Sequence, residues 1–233
     1  MDKVRIGIIG CGGIANSKHL PALSQLPDVE LCAFCDIVEE RAVKAAAEYG
    51  APGAKVFVDY RKLLELDLDV VHVLTPNKQH SFITVDALES GKHVMCEKPA
   101  GVYTKAVAEV NELAKKSKAT YAIMFNQRTN CVYRKMKEII SSGELGSIRR
   151  VNWLITNWFR PQSYYDSGAW RATWAGEGGG VLLNQAPHNL DLWQWIFGMP
   201  KRLRAQCAVA KYHRIEVEDE AAIYAEYENG ATA

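Results

Sequence analysis

The sequence predicts an α/β protein: a doubly wound parallel sheet, followed by a smaller α+β domain with an open-faced, mostly antiparallel sheet. Three observations predict it. Up to about residue 125, short apolar runs alternate with helix-length amphipathic segments, the rhythm of β-α units. Those runs are almost uninterruptedly hydrophobic, which requires helices on both faces of the sheet. Beyond that point the runs lengthen and alternate apolar with polar residues, as strands with one open face do. The 233 residues, 48% hydrophobic and 24% charged, exclude a disordered or low-complexity chain. The length suits one large domain or two modest ones.

In order along the chain, strands are expected at Val4 to Ile9, Glu30 to Cys35, Val56 to Phe57, Val70 to Leu74, His93 to Cys96 and Tyr121 to Phe125. Helical periodicity runs through Glu39 to Glu48, Tyr60 to Leu66, Ile83 to Glu89 and Lys105 to Lys116. A domain boundary is placed near residue 122, giving domains 1–122 and 123–233. The second domain opens with a helix from Val132 to Ser141 that ends at Gly143, then strands at Ser147 to Trp158, Leu203 to Tyr212 and Ala221 to Glu228. Asn229-Gly230 is the strongest two-residue hairpin signal, yet few residues follow it. A C-terminal portion of the second domain is therefore expected to be missing.

Net charge is +1 with no long basic run, so neither a nucleic-acid surface nor an anionic-membrane surface has an electrostatic footprint. The first residues are too short an apolar run for a signal peptide or a membrane span, which points to the cytoplasm. Six cysteines are scattered rather than clustered, and neither a disulfide framework nor a metal site is expected. Cys32-Ala33-Phe34-Cys35 reads CxxC, but on a strand that spacing points the two sulfurs apart, and buried reduced thiols are the better expectation. All six tryptophans fall in the second half. Packing accounts for most of them, and Trp158 and Trp170, flanked by Arg160 and Arg171, are the candidate ligand contacts.

Gly10-Cys11-Gly12-Gly13-Ile14-Ala15 follows the first strand and opens a helix, matching G-x-G-x-x-A where a dinucleotide diphosphate sits in a Rossmann domain. Gly10 permits the tight turn, Gly12 the close approach of phosphate, and Ala15 close helix-sheet packing. Gly13 and Ile14 complete the loop, and the helix N-terminus supplies N–H groups and a positive dipole end. Asp36, at the end of the second strand, can accept from both adenosine ribose hydroxyls and repel a 2'-phosphate, so NAD is favoured over NADP. As a helix N-cap before Glu39 and Glu40 it could serve both ends.

Thr75-Pro76-Asn77 and Glu97-Lys98-Pro99 both stand at carboxyl ends of strands, where open parallel sheets bind ligands. Lys98-Pro99 is a candidate cis peptide. With Asn126-Gln127-Arg128, Trp170-Arg171 and the run Gly178-Gly179-Gly180-Val181-Leu182-Leu183-Asn184-Gln185-Ala186-Pro187-His188-Asn189-Leu190-Asp191, the chain resembles the glucose-fructose oxidoreductase, inositol dehydrogenase and MocA family along essentially its whole length.

The resemblance implies an oxidoreductase that moves hydride between NAD and a hydroxyl-bearing carbon of a sugar, polyol or sugar derivative. It places Lys98 beside the nicotinamide and the substrate hydroxyl, and makes His188 the proton shuttle, a role suited to a group with a pKa near neutrality. Many inositol-dehydrogenase-like members carry Asp where this chain has Asn184, which cannot take a proton and is left to hydrogen bonding. Cofactor contacts are expected from Thr75, Pro76, Asn77, His80, Glu97, Lys98 and Asn126, and substrate contacts from Lys98, Arg128, Trp158, Arg160, Trp170, Arg171 and His188. Asp191 is expected to pack or orient. The resemblance also implies a longer chain, with roughly a third of the expected length absent, and a homo-oligomer. Two other uses of the same fold stay open: a hydrolase or lyase that recycles bound NAD, and a non-catalytic sensor of NAD and a sugar.

Overall fold

A computed structural model of the chain describes residues 3–156 and 159–233, which divide into two compact units, the first ending at Met124 and the second beginning at Phe125. In the first unit, β1 (Val4–Ile9), β2 (Val29–Cys35), β3 (Lys55–Phe57), β4 (Val70–Val73), β5 (His93–Cys96) and β6 (Tyr121–Ile123) form one sheet in the order β3-β2-β1-β4-β5-β6, every neighbour parallel. The connections are α1 (Leu20–Leu23, entered through a π-helical turn Ala15–His19), α2 (Glu39–Tyr49), α3 (Tyr60–Leu64), α4 (His80–Glu89) and α5 (Thr104–Lys116).

Alternation along β1 sorts the core into two layers. Ile6 and Ile8 pack with Leu20, Phe34, Ala42 and Ala45 on the α1 and α2 face; Ile9 packs with Leu63, Val73, Ile83 and Val110 on the other. Strand order reverses between β1 and β4. The loops that follow those two strands therefore part, and the crevice outside their carboxyl ends is where such sheets take ligands.

One expectation is corrected within β2. Leu31 pairs with Ile6 and Ala33 with Gly7, so Cys32 is an extra residue in the strand, a bulge that breaks the two-residue period. Leu31 and Phe34, three apart, share one core layer, while Cys32 and Cys35 both pack toward the other. The two sulfurs are thus not set on opposite faces. Both thiols are free, and burial pushes Cys35 up to about 12 and Cys32 upward as well.

The second unit holds α6 (Cys131–Ser141), α7 (Gln162–Asp166), a second π-helical turn (Val181–Gln185), α8 (Pro187–Phe197) and the antiparallel pair β7 (Arg202–Val209) and β8 (Glu218–Glu226). Aromatic packing joins α6 to α8: Trp153 stacks on Tyr133, meets Phe197 edge-on, and donates its indole N–H to Asn189. The strand expected over 147–158 does not form among the described residues. Alternating side chains specify a face, but a strand also needs a ladder partner. Here the backbone pairing is a single bridge, Arg150 to Thr232, and Leu154 is 88% exposed.

The turn after β8 also differs from expectation. Tyr227 N–H donates to Ala231 and Gly230 N–H to Tyr227, so the loop has three residues, Glu228 to Gly230, with Gly230 at a left-handed φ of 80°. Ala225 and Ala233 then exchange backbone bonds.

Glu218, at the start of β8, closes the π turn from behind. Its carboxylate accepts Gly180 N–H at 2.9 Å and Leu182 N–H at 3.1 Å, and a Cβ on Gly180 would overlap the Glu218 backbone carbonyl. Gly180→Ala is therefore expected to destabilise the chain by more than about 3 kcal/mol, seen as a lowered melting temperature. An unchanged melt would show that this approach can relax.

Candidate active site

The glycine loop is held at both ends. Gly10 has φ 98°, a region that favours glycine, and a Cβ there would stand 2.7 Å from the Leu74 carbonyl at the end of β4. Around Gly12 and Gly13 a Cβ would meet nothing within 4 Å, so the loop opens onto free space on the side where a phosphate would lie. Ala15 is fully buried against the sheet. Asn16 locks the turn with its side-chain amide on the carbonyls of Cys11 and Gly12, both at 2.8 Å.

Asp36 ties this loop to β2: one carboxylate oxygen accepts Cys11 N–H and the other Val38 N–H, each at 2.9 Å. Val38, not Asp36, is the N-cap position of α2. A carboxylate has more acceptor sites than these two N–H groups fill, which leaves capacity for ribose hydroxyls. An open cradle, a helix start and an acidic strand end fit a dinucleotide.

The two motif loops after β4 and β5 are joined by His80, 1% exposed at the first position of α4. Its Nδ1 lies 2.6 Å from the Pro99 carbonyl and its Nε2 2.7 Å from the Thr75 carbonyl. Burial pulls the imidazole below its ordinary pKa, while the two carbonyls pull the other way. The Thr75 hydroxyl and the Asn77 amide nitrogen are buried with no hydrogen-bond partner among the described residues. The Lys98-Pro99 peptide is cis.

Two histidines that the sequence did not single out complete this edge. His19, in the π turn behind the glycine loop, donates from Nε2 to Glu97 at 2.7 Å, and Glu97 also accepts the Lys98 backbone N–H at 3.0 Å. Burial pushes the Glu97 carboxyl up, but the hydrogen bond and charge of His19, with the Lys98 N–H, hold it below the ordinary range. No spacing rule links residues 78 apart. His72, on β4, meets the His19 ring edge-on at 5.7 Å.

In the second unit, Asn126 and Arg128 lie in a 3-10 turn, Asn126–Thr129. Arg128 forks onto Asp191 of α8, Nε to Oδ2 at 2.8 Å and Nη2 to Oδ1 at 2.5 Å, and stacks over Phe125 and Trp195. Its guanidinium thus clamps α8, and Asp191 is its orienting partner. Arg160 and Arg171 both stand over the Tyr164 ring, at 4.7 and 4.4 Å, and Arg171 also covers Trp170 and donates to the Tyr164 hydroxyl. Trp158 lies outside the described residues. His188 occupies the first turn of α8 and meets Phe125 edge-on. Asn184, in the π turn before it, donates its amide to the buried carboxylate of Glu177. Among the described residues no cluster of His, Cys, Asp and Glu could hold a metal, and no helix is long and apolar enough to cross a membrane.

Burial lowers His72 to about 4, with the His19 charge acting in the same direction and Glu97 against it. A folded-state value below the unfolded one stabilises the fold above the unfolded pKa and ceases to do so as pH falls toward the folded one. His72→Leu is therefore expected to flatten the loss of stability between about pH 6.5 and pH 4, by up to about 3 kcal/mol at the acid end. Melting temperature against pH measures this, and an unaltered acid limb would contradict it.

Residues 4–125 match the model of the oxidoreductase family with an NAD-binding Rossmann fold, and residues 133–233 match the GFO/IDH/MocA C-terminal domain. The chain is 32% identical over 200 residues to D-glucoside 3-dehydrogenase of Escherichia coli, covering 84% of itself and 55% of that enzyme. It is 38% identical over 146 residues to inositol 2-dehydrogenase of Salmonella typhimurium, covering 61% of itself and 43% of the relative. The chain thus spans about half the length of these curated relatives. Among solved structures, the WlbA dehydrogenase of Chromobacterium violaceum, in complex with NADH and UDP-GlcNAcA, superposes with a TM-score of 0.93 at 32% identity, over 100% of this chain and 66% of that one. The chain belongs to the glucose-fructose oxidoreductase, inositol dehydrogenase and MocA family of oxidoreductases and carries its NAD-binding Rossmann domain.

Proposed function

We propose that this protein transfers hydride between NAD and a hydroxyl-bearing carbon of a sugar, polyol or sugar derivative. The observation that carries the proposal is the glycine loop: open at Gly12 and Gly13, and bound to the Asp36 carboxylate through Cys11 N–H. It is supported by relatives that are dehydrogenases of a glucoside and of inositol.

When bound, NAD supplies the hydride acceptor. The chain's own residues do the rest. Gly10, Gly12, Gly13, Ile14 and Ala15 bind the diphosphate, and Asp36 the adenosine ribose. Thr75, Pro76, Asn77, Glu97 and Asn126 are assigned to the nicotinamide half, with His80 fixing the two loops that carry Thr75 to Asn77 and Glu97. His188 takes the hydroxyl proton, and Lys98 polarises the same oxygen by hydrogen bonding. Arg160, Trp170 and Arg171, with Trp158, are assigned to the substrate; cations and aromatic faces together suit a polyhydroxylated ring and an acidic substituent on it. Arg128 is assigned instead to holding α8. Thiols that burial keeps protonated, Cys11, Cys35 and Cys96 all being raised to about 12, suit a reducing cytoplasm. A homo-oligomer is part of the proposal.

NAD reduction over a panel of neutral sugars, polyols and nucleotide-linked sugar acids tests the reaction. Lys98→Met and His188→Gln are each expected to lower kcat by about 100-fold or more while NADH binding, read by fluorescence, stays within severalfold. Full turnover in both variants would remove the assigned roles. Product without net change in nicotinamide absorbance would select the NAD-recycling alternative. Separately, Asp36→Ala is expected to weaken NAD binding by about tenfold and narrow the gap to NADP; unchanged affinities for both would remove Asp36 from the ribose site.

A further inference from the structure

Glu177 joins the Trp170-Arg171 loop to the turn before His188, and it is only 1% exposed. One of its oxygens accepts the Ala172 N–H at 2.7 Å, and the other accepts the Asn184 side-chain Nδ2. Ala172 there holds a left-handed φ of 50°, which alanine keeps only where its surroundings fix it. The loop closes on itself nearby: Glu177 N–H donates to Thr173, and a Cβ on Gly176 would overlap the Trp170 backbone.

A carboxylate only accepts, whereas a carboxamide has a donating end and an accepting end. With Nδ2 committed to Glu177, the amide of Asn184 has one orientation, and its Oδ1 faces away from Glu177. Were the amide reversed, two acceptors would meet in a buried site. We propose that Glu177 is a positioning residue that orients Asn184, so that a neutral carbonyl oxygen is offered as acceptor to the substrate hydroxyl whose proton His188 takes. The use of the oxygen rests on the reaction proposed above. The orientation itself does not, because it follows from contacts within one unit.

The test is a double-mutant cycle on the 233-residue chain, read first by thermal melting. Asn184→Asp sets a second carboxylate against Glu177, and the two can share a hydrogen bond only while one is protonated. Its melting deficit against the parent is expected to widen as pH rises from about 5 to about 8. Tyr165 also feels the Glu177 charge, and burial already raises its hydroxyl, so it does not titrate in this window. Adding Glu177→Gln supplies a donor to the new carboxylate while still accepting from Ala172, so the double variant is expected to regain most of the deficit and lose its pH dependence. Glu177→Gln alone turns a donor toward Asn184 and forces the amide over; kcat is expected to fall about tenfold or more with KM little changed.

No rescue in the double variant, or a deficit flat with pH, would overturn the positioning. So would unchanged turnover in Glu177→Gln beside loss of turnover in His188→Gln. A parent without turnover whose variants still show the rescue would overturn the proposed reaction and leave the orientation standing.

Discussion

A carboxylate or imidazole taken out of water persists only where other polar groups replace the water it lost, and that requirement ties together the chemistry-bearing loops of this chain. Asp36 reaches back 25 residues to Cys11, His19 forward 78 to Glu97, His80 forward 19 to Pro99, and Glu218 back 38 to Gly180. Each of these side chains is buried or nearly so, and each holds a segment that sequence alone would leave loose. The sheet places the ends of β1, β4 and β5 side by side, but hydrogen bonds to buried side chains decide how the loops leave those ends. Loops held this way are shaped by the protein's own hydrogen bonds, each made within one unit, which is what preorganisation of reacting groups requires.

How much of this was legible in the sequence depends on what kind of constraint produced it. β1 and β5 fall where the apolar runs put them, Val4–Ile9 and His93–Cys96, because a parallel strand covered on both faces must be apolar along most of its length. The glycine loop was legible for a similar reason: backbone conformation and close approach allow few residue types at Gly10. The bulge at Cys32 was not, since an extra residue in a strand obeys the register of its neighbour rather than its own pattern. Nor was the loss of a strand among the described residues of 147–158, where the alternation is present but the pairing is a single bridge. Glu97 could be placed by its motif, but its partner His19 could not. Glu177 and Glu218 likewise bind groups 7 and 38 residues away, with no periodicity to announce them.

The two π-helical turns sharpen this difference. Ala15–His19 follows Gly12-Gly13, and Val181–Gln185 follows Gly178-Gly179-Gly180; each leads from a glycine-rich loop into an α-helix. Such turns are rare and concentrate at functional sites, because the wider backbone ring shifts every later side chain around the axis. In the second case the bond from Ala186 N–H to Val181 closes the wide turn, and Pro187 then starts α8, where a missing N–H leaves no orphan donor. Asn184 and His188 are four apart, which on a continuous helix would put them on one face. They lie instead on either side of a change of helix type, and each is fixed from its own side: Asn184 by Glu177, and the helix of His188 by the Arg128 fork on Asp191. Their relative placement is therefore set by two buried carboxylates rather than by helical spacing. That is why exchanging Asn184 for aspartate cannot be neutral unless Glu177 changes with it.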